Sequence, residues 1–353
     1  MPRSIITATG SYIPDIKISN TSFLGSDFYG INGRRLEKSN TDIVQKFQEI
    51  TCINERRYVT DDLNTSDMSF ISAERALKGV DRESLDYIIV AHNFGDLNAN
   101  NTQTDMVPTL ASRVKQKLGI KNPYTVAYDL PFGCPGWLQG MITADYYIKS
   151  GDAKKILVIG AETLSRVSDP HDIDSMIYSD GAGATLVEAA DGDEGILSHV
   201  TISDTFKEAY LLWLDKSYHV NSNGNRLFLK MRGHEVYKYA IKKVPEIVKQ
   251  SLEKAGLSLS DVKKVLIHQA NQKMDEAILK RLFKLYKTDD IPEHIMPMTI
   301  SWLGNSSVAT LPTLFDLLQK GQLNNHKLLP GDVVVFASVG AGMNINSMVY
   351  RVH

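Results

Sequence analysis

The sequence predicts an α/β protein built from two halves of one design. Three observations carry that expectation. Apolar runs rich in Val, Ile and Leu alternate with amphipathic helical stretches, the pattern of strands joined through helices. Two strand-like runs share a form, Asp86-Tyr87-Ile88-Ile89-Val90 and Lys263-Lys264-Val265-Leu266-Ile267, and each half has a late strand with a glycine-rich turn, at 181–183 and 340–342. The length of 353 residues is enough for such a pair with a site at its seam.

The elements follow in order. Residues 4–12 read as an opening strand that Pro14 stops. Residues 20–42, with Gly25, Gly30, Gly33 and the pair Arg34-Arg35, read as an exposed loop or lid. A helix is predicted over 42–49, capped by Thr41 or Asp42. In Glu55-Arg56-Arg57, adjacent acid and base favour a structural ion pair over an anion site. Residues 65–78 read as a helix ended by Gly79, 86–92 as a buried strand, and the Asn/Thr-rich 93–104 as loop. A helix over 106–118, closed by Gly119, leads to a strand over 125–130. Residues 137–149 form a helix with Leu138, Met141, Ile142 and Tyr146 on its apolar side, and 155–160 a further strand. The Gly-x-Gly of 181–183 lacks the longer dinucleotide fingerprint, which argues against a nucleotide-dependent oxidoreductase. Residues 205–226 read as an irregular surface excursion, not a separate domain. Helices over 233–256, 272–283 and 308–319 and strands over 262–268 and 332–338 complete the second half. The division is expected at 1–190 and 191–353, with no independent extra domain.

Composition narrows the function classes. With 39 basic and 41 acidic residues the net charge is −2, so no global footprint for nucleic acid or an anionic membrane exists. Two cysteines are too few for a disulfide scaffold. No apolar run reaches the roughly 20 residues that span a bilayer, and Arg3 is not followed by a signal-like apolar core, so a cytoplasmic location is expected.

Chemistry concentrates at Asp129-Leu130-Pro131-Phe132-Gly133-Cys134-Pro135-Gly136-Trp137, where a lone cysteine sits on a turn between strand and helix. Helix N-termini lower a thiol pKa, so Cys134 is a candidate nucleophile, although free cysteines are also common inert core residues. His268, in His-Gln-Ala-Asn, and Asn305, in Gly-Asn-Ser-Ser, occupy two further strand-to-helix turns. Alone, His268 reads equally well as a structural loop residue, and Asn305 reads more readily as a turn or cap residue. Together they are a thiol acyl carrier with two hydrogen-bond donors for an enolate or oxyanion.

These motifs resemble those of the thiolase-like condensing enzymes, most closely the β-ketoacyl-acyl-carrier-protein synthase III type. Further matches run the length of the chain, among them Ile53-Asn54-Glu55-Arg56-Arg57, Ser179-Asp180-Gly181-Ala182-Gly183-Ala184 and Met231-Arg232-Gly233-His234-Glu235. The resemblance implies a five-layered thiolase-like α/β core of two pseudo-duplicated α-β-α-β-α halves, with Cys134 in the first and His268 and Asn305 in the second. It implies decarboxylating condensation of a Cys134-bound acyl group with malonyl-acyl-carrier protein, in fatty-acid initiation or a specialised lipid or polyketide pathway. It implies no permanently bound cofactor or metal; the substrates are the acyl thioester of CoA or of acyl-carrier protein, and malonyl-acyl-carrier protein. The implied partners are acyl-carrier protein and a second copy in a homodimer, without nucleic acid or stable membrane association.

Departures from the type set further expectations. Ile50 and Ile173 stand where arginines grip the CoA nucleotide, and Lys46 where a tryptophan stacks, with Phe47 next door. CoA recognition is therefore expected to be weakened. His234 replaces a pantetheine-contacting asparagine, and Lys273 stands at a carrier-protein-binding arginine, with Arg281 and Lys287 as extensions. Val107 replaces the phenylalanine that caps the acyl pocket across the dimer, which enlarges that pocket unless Trp137 and Met141 refill it. A backbone N–H near Gly342, with that of Cys134, is expected to form an oxyanion hole. Cys52 takes the place of a glycine and has no triad partner beside it. A non-decarboxylating condenser or acyltransferase of the same superfamily is the first alternative, but the second catalytic cysteine of thiolases is missing from 340–342, and the glutamate of long-chain condensers is missing near Val107, where Asp105 is the nearest acid. A non-catalytic partner subunit is the second.

Overall fold

The computed structural model describes residues 2–99, 101, 103–221 and 224–353. Asn100 and Thr102 of the expected 93–104 loop, and Ser222 and Asn223 of the expected 205–226 excursion, lie outside the described residues. In chain order the strands are β1 (Arg3–Tyr12), β2 (Ile16–Ser19), β3 (Glu55–Tyr58), β4 (Tyr87–Ala91), β5 (Val126–Leu130), β6 (Lys155–Thr163), β7 (Asp180–Ala190), β8 (Gly195–Ser203), β9 (Leu212–Asp215), β10 (Phe228–Met231), β11 (Val262–Ile267), β12 (Val333–Gly340) and β13 (Asn344–Arg351). The helices are α1 (Asn40–Thr51), α2 (Thr65–Ala76), α3 (Leu110–Lys117), α4 (Gly136–Ser150), α5 (Thr205–Glu208), α6 (Gly233–Lys254), α7 (Gln272–Leu285), α8 (Ile300–Leu303) and α9 (Thr310–Gln319).

Two sheets repeat one pairing scheme. The first has the order β1-β7-β6-β4-β5, the second β8-β13-β12-β11. In each, two antiparallel pairings are followed by a parallel one, β6 with β4 and β12 with β11. Only the first continues to a fifth strand, β5, parallel to β4. In the second, the carbonyl of Ile295 accepts from the N–H of Val265 at 2.9 Å, so an irregular segment flanks β11 instead.

Burial follows the layers. Helices α2 and α3 cover the outer face of the first sheet, α6 and α7 the outer face of the second. Between the sheets lie α4 and α9. Their Trp137, Leu138, Met141, Leu311, Leu314 and Phe315 meet Ile89 and Val158 on one side and Val334, Phe336 and Tyr350 on the other. A helix wrapped by sheets must be apolar all round, and nine of the ten residues of α9 are buried. The result is the expected five-layered α-β-α-β-α core. The 181–183 glycines serve this packing: a Cβ on Gly183 would sit 2.8 Å from Thr313 N in α9.

Local outcomes refine the sequence reading. Ser39, not Thr41 or Asp42, caps α1, its Oγ accepting from Asp42 N at 3.2 Å. Helix α3 starts at Leu110, not 106, because the residue before Pro108 is barred from helical backbone and Thr109 provides the cap. Arg57 pairs with Glu55 at 2.9 Å, while buried Arg56 donates to the Met176 and Ile18 carbonyls and to Asn20 Oδ1. Strands β8 and β13 lacked an apolar signature because they bury polar groups: Ser198 donates to the Ser251 carbonyl, and Ser251 shares a hydrogen bond with Ser347. The 205–226 excursion holds a strand after all, β9, which pairs with β10 as a ribbon.

That ribbon is fastened by a buried charge cluster. Lys230 of β10 is fully buried, donates to Asp169 Oδ2 at 2.5 Å and Asp172 Oδ2 at 3.1 Å, and lies over the Tyr218 ring. Burial works against ionising Asp169, but Lys230 and the N–H groups of Tyr218 and His171 outweigh it and hold its pKa below the usual value. Lys230→Met strands two carboxylates in the interior, so a loss of about 3–5 kcal/mol is expected. Urea unfolding measures it, and a loss under about 1 kcal/mol contradicts the assignment.

Candidate active site

Two connected cavities open at the seam between the halves. The outer one, about 1410 Å³, is lined by residues of the 32–38 loop, α1, the 173–177 turn, and the starts of α6 and α7. The inner one, about 220 Å³, has Cys134, His268 and Asn305 in its wall. Met231, Val236, Ala270, Met274 and Asn305 line both.

Each candidate reaches the inner cavity from a different element. Cys134 lies on the turn between β5 and α4, and the Gly136 N–H donates to the Gly133 carbonyl at 3.0 Å. The end of β12 presses on this turn: a Cβ on Gly340 would stand 2.5 Å from Cys134 N, so no larger residue fits without a shift. Gly340 and Ala341 line the inner cavity; Gly342, the sequence candidate, does not.

His268 follows β11, and its N–H donates to the Ala337 carbonyl at 2.9 Å. Burial pushes its pKa down to about 4, so the imidazole is neutral at physiological pH. Its Nδ1 is buried without a partner, which leaves Nε2 for the cavity. The neighbours in His-Gln-Ala-Asn are structural. Gln269 Oε1 accepts from the N–H groups of Thr299 and Ile300, at 2.8 and 3.0 Å, and Asn271 caps α7 by accepting from Met274 N at 3.1 Å.

Asn305 is held between Ile177 and Ser179 by backbone hydrogen bonds of 3.0 and 2.8 Å. Its Oδ1 accepts from Ser307 N at 2.8 Å, leaving Nδ2 as the free donor.

The surroundings are dry, and this changes one expectation. Burial pushes the Cys134 thiol up to about 11, with Ser307 opposing the shift by a hydrogen bond and Glu162 adding to it. The low thiol pKa expected from the helix N-terminus is not realised in this state, because burial outweighs the helix field. Glu162 is fully buried and is pushed up to about 7 by that burial, which His92 and Asn93 partly offset.

Comparison with known proteins gives this arrangement a lineage. The family described as 3-oxoacyl-[acyl-carrier-protein (ACP)] synthase III matches residues 128–205, and its C-terminal part matches residues 252–352. A β-ketoacyl-[acyl-carrier-protein] synthase III of Halalkalibacterium halodurans is 32% identical, covering 99% of both chains, and one of Paracoccus denitrificans is 31% identical, covering 99% of this chain and 100% of its own. The chain belongs to the 3-oxoacyl-[acyl-carrier-protein] synthase III family. The solved synthase III of Thermus thermophilus superimposes with a TM-score of 0.80 at 27% identity, over 99% of both chains.

Measured against that synthase III expectation, the remaining candidates divide. Phe47, His234 and Lys273 line the outer cavity, together with Lys46, Ile50 and Ile173. Phe47 also stacks 5.8 Å from the Arg56 guanidinium. Val107 lines neither cavity and is 87% exposed. Trp137 and Met141 line neither of these two cavities; both are buried between the sheets. Cys52 ends α1 at φ +60, the left-handed backbone that suits the glycine found there in the type. Asp105 is engaged by Arg113 at 2.7 Å.

Sequence reasoning missed much of the inner wall. Leu212 and Trp213 of β9 line the cavity, although their segment reads as an irregular excursion. Ser307 stood in the quoted Gly-Asn-Ser-Ser motif, its second serine, and was a visible signal. Asn93 and Glu162 gave none, since only folding brings them to Cys134.

Glu162 carries a pH signature. Its folded pKa, about 7, exceeds the ordinary 4.5, so the folded chain keeps a proton that the unfolded chain has lost. Stability from this group is therefore present below pH 4.5 and lost as pH rises to about 7. Glu162→Gln removes the titration. Its urea midpoint relative to the parent protein is expected to rise across that window and stay level below it.

Proposed function

We propose that the protein loads an acyl group onto Cys134 and condenses it with malonyl-acyl-carrier protein to give a β-ketoacyl thioester. The observation that carries this reading is the convergence of Cys134, His268 and Asn305, from three separate turns, on one inner cavity. In the first stage the Cys134 thiolate attacks the donor thioester, and the donor thiol leaves with the proton. In the second, malonyl thioester loses CO2, the enolate attacks the Cys134 thioester carbon, and the thiolate departs. Neutral His268 donating from Nε2 and Asn305 donating from Nδ2 stabilise the enolate oxygen. The N–H groups of Cys134 and the 340–341 turn serve the thioester oxygen.

The mouth supports a carrier-protein donor. Ile50 and Ile173, 43% and 40% exposed there, are two positions that offer nothing to a nucleotide phosphate. Arg34, Arg35, Lys38, Lys46 and Lys273 rim the cavity instead. Exposed Lys273, Lys280 and Lys284 continue along one side of α7 as a track for an acidic partner. A homodimer fits the unpaired outer edge of β5, together with exposed Met106, Val107, Tyr124 and Val126.

Intact-mass measurement after incubation with acyl-CoA and acyl-carrier-protein donors tests both parts. An acyl adduct that disappears in Cys134→Ala is expected, formed faster from the carrier protein. An adduct that survives that change overturns the mechanism, and preference for acyl-CoA overturns the donor reading. His268→Ala and Asn305→Ala are expected to load normally and lose about 10²–10³-fold in condensation.

Cavity size sets a further expectation. About 220 Å³ holds roughly seven groups of water size, at about 30 Å³ each, a short to medium acyl chain. Trp213→Ala opens this wall, and kcat/KM for longer donors relative to acetyl is expected to rise roughly tenfold. An unchanged chain-length profile places Trp213 outside the acyl path.

A further inference from the structure

Ser307 Oγ lies 3.5 Å from Cys134 Sγ, within a chain of hydrogen bonds whose direction is set when Glu162 is ionised. Glu162 Oε2 accepts from Asn93 N at 2.9 Å and from Asn93 Nδ2 at 2.6 Å. Above its pKa of about 7 Glu162 is a carboxylate and only accepts, so Asn93 then turns its amide nitrogen toward Glu162. The same nitrogen reaches Ser307 Oγ at 3.1 Å and can only donate to it. Having accepted there, Ser307 keeps its own hydrogen for the sulfur. The backbone fixes Ser307 as well: its N–H donates to Asn305 Oδ1, and its φ of +53 is a left-handed conformation seldom adopted by serine.

We propose that Ser307 is a further catalytic residue, donating its hydroxyl hydrogen to the Cys134 sulfur, with Asn93 and Glu162 as positioning residues that set the direction of that hydrogen bond. The sulfur needs such a donor twice, when it attacks the donor thioester and when it leaves the condensed product. The other ionisable groups facing it give no such help. Glu162 on β6 opposes negative charge on the sulfur, the buried Tyr178 hydroxyl before β7 reaches no partner, and neutral His268 makes no hydrogen bond to it. Among the described residues, Ser307 is the one side chain that donates to Sγ. The inference rests on Cys134 as the acyl carrier, but alkylation reports on the thiol whether or not an acyl adduct forms.

The experiment follows iodoacetamide alkylation of the Cys134 peptide by mass spectrometry from about pH 6 to about pH 10, with the Cys52 peptide as internal reference. Ser307→Ala and Ser307→Gly are expected to displace the Cys134 profile upward by about one pH unit, an approximately tenfold slower reaction below the midpoint. Cys52 is expected to stay unchanged. Glycine suits the positive φ, so Ser307→Gly keeps the test alive where alanine perturbs folding. Asn93→Asp places an acceptor where a donor stood, captures the Ser307 hydrogen and is expected to give a displacement of similar size. Unmoved Cys134 profiles in folded Ser307 variants, or equal displacement at Cys52, overturn the catalytic assignment. A parent-like Asn93→Asp overturns the positioning assignment.

Discussion

Burial of α4 and α9 between two sheets is the constraint on which the rest of the structure depends. Two largely buried helices are stable only inside a shell that supplies apolar contacts, and both sheets are needed to supply it. Their starts then have little freedom. Cys134 lies two residues before α4 and Asn305 five before α9, and both look into the same cavity. The 340–341 turn closes on Cys134 because glycine at 340 allows the approach. The chemistry is thus located by packing, at the ends of the two most deeply buried helices.

The same dryness sets the electrostatics. An imidazole held neutral is a donor at any physiological pH, which suits a step that stabilises a developing oxygen anion. For the thiol, dryness works the other way, since a thiolate in an apolar wall is costly without a donor. Low dielectric strengthens whatever hydrogen bond the sulfur does receive. The polar groups of this wall are therefore few and directional, and most of its remaining lining residues are Leu, Met, Phe and Trp.

Much of this was legible in the sequence. The alternation of strands and helices and the duplication followed from strand and helix periods and from the echo between 86–90 and 263–267, and the five layers from the resemblance. The family followed from motifs in fixed order. What stayed hidden shares a physical cause. Strands β8 and β13 bury serine, histidine and asparagine, so their composition hides their burial. Ribbon β9–β10 owes its place to a Lys230–Asp169 contact across 61 residues of chain. Glu162 lies just beyond the expected 155–160 strand with no local signal, and only the fold shows it beside Asn93. Lys273 and Phe47 were placed at the mouth by resemblance alone, since no local pattern separates a rim residue from any other exposed one.

The division of the inner wall also bears on how the protein is made. The nucleophile is translated before several of the groups that enclose it, among them His268, Asn305 and the 340–341 turn. A nascent chain that has finished its first sheet therefore exposes a bare thiol turn on a half-covered α4, with neither pocket nor donors. Enclosure is complete only when β12 docks. Catalytic competence accordingly requires translation through Gly340: a polypeptide cut short before it carries the cysteine without the turn that closes on it.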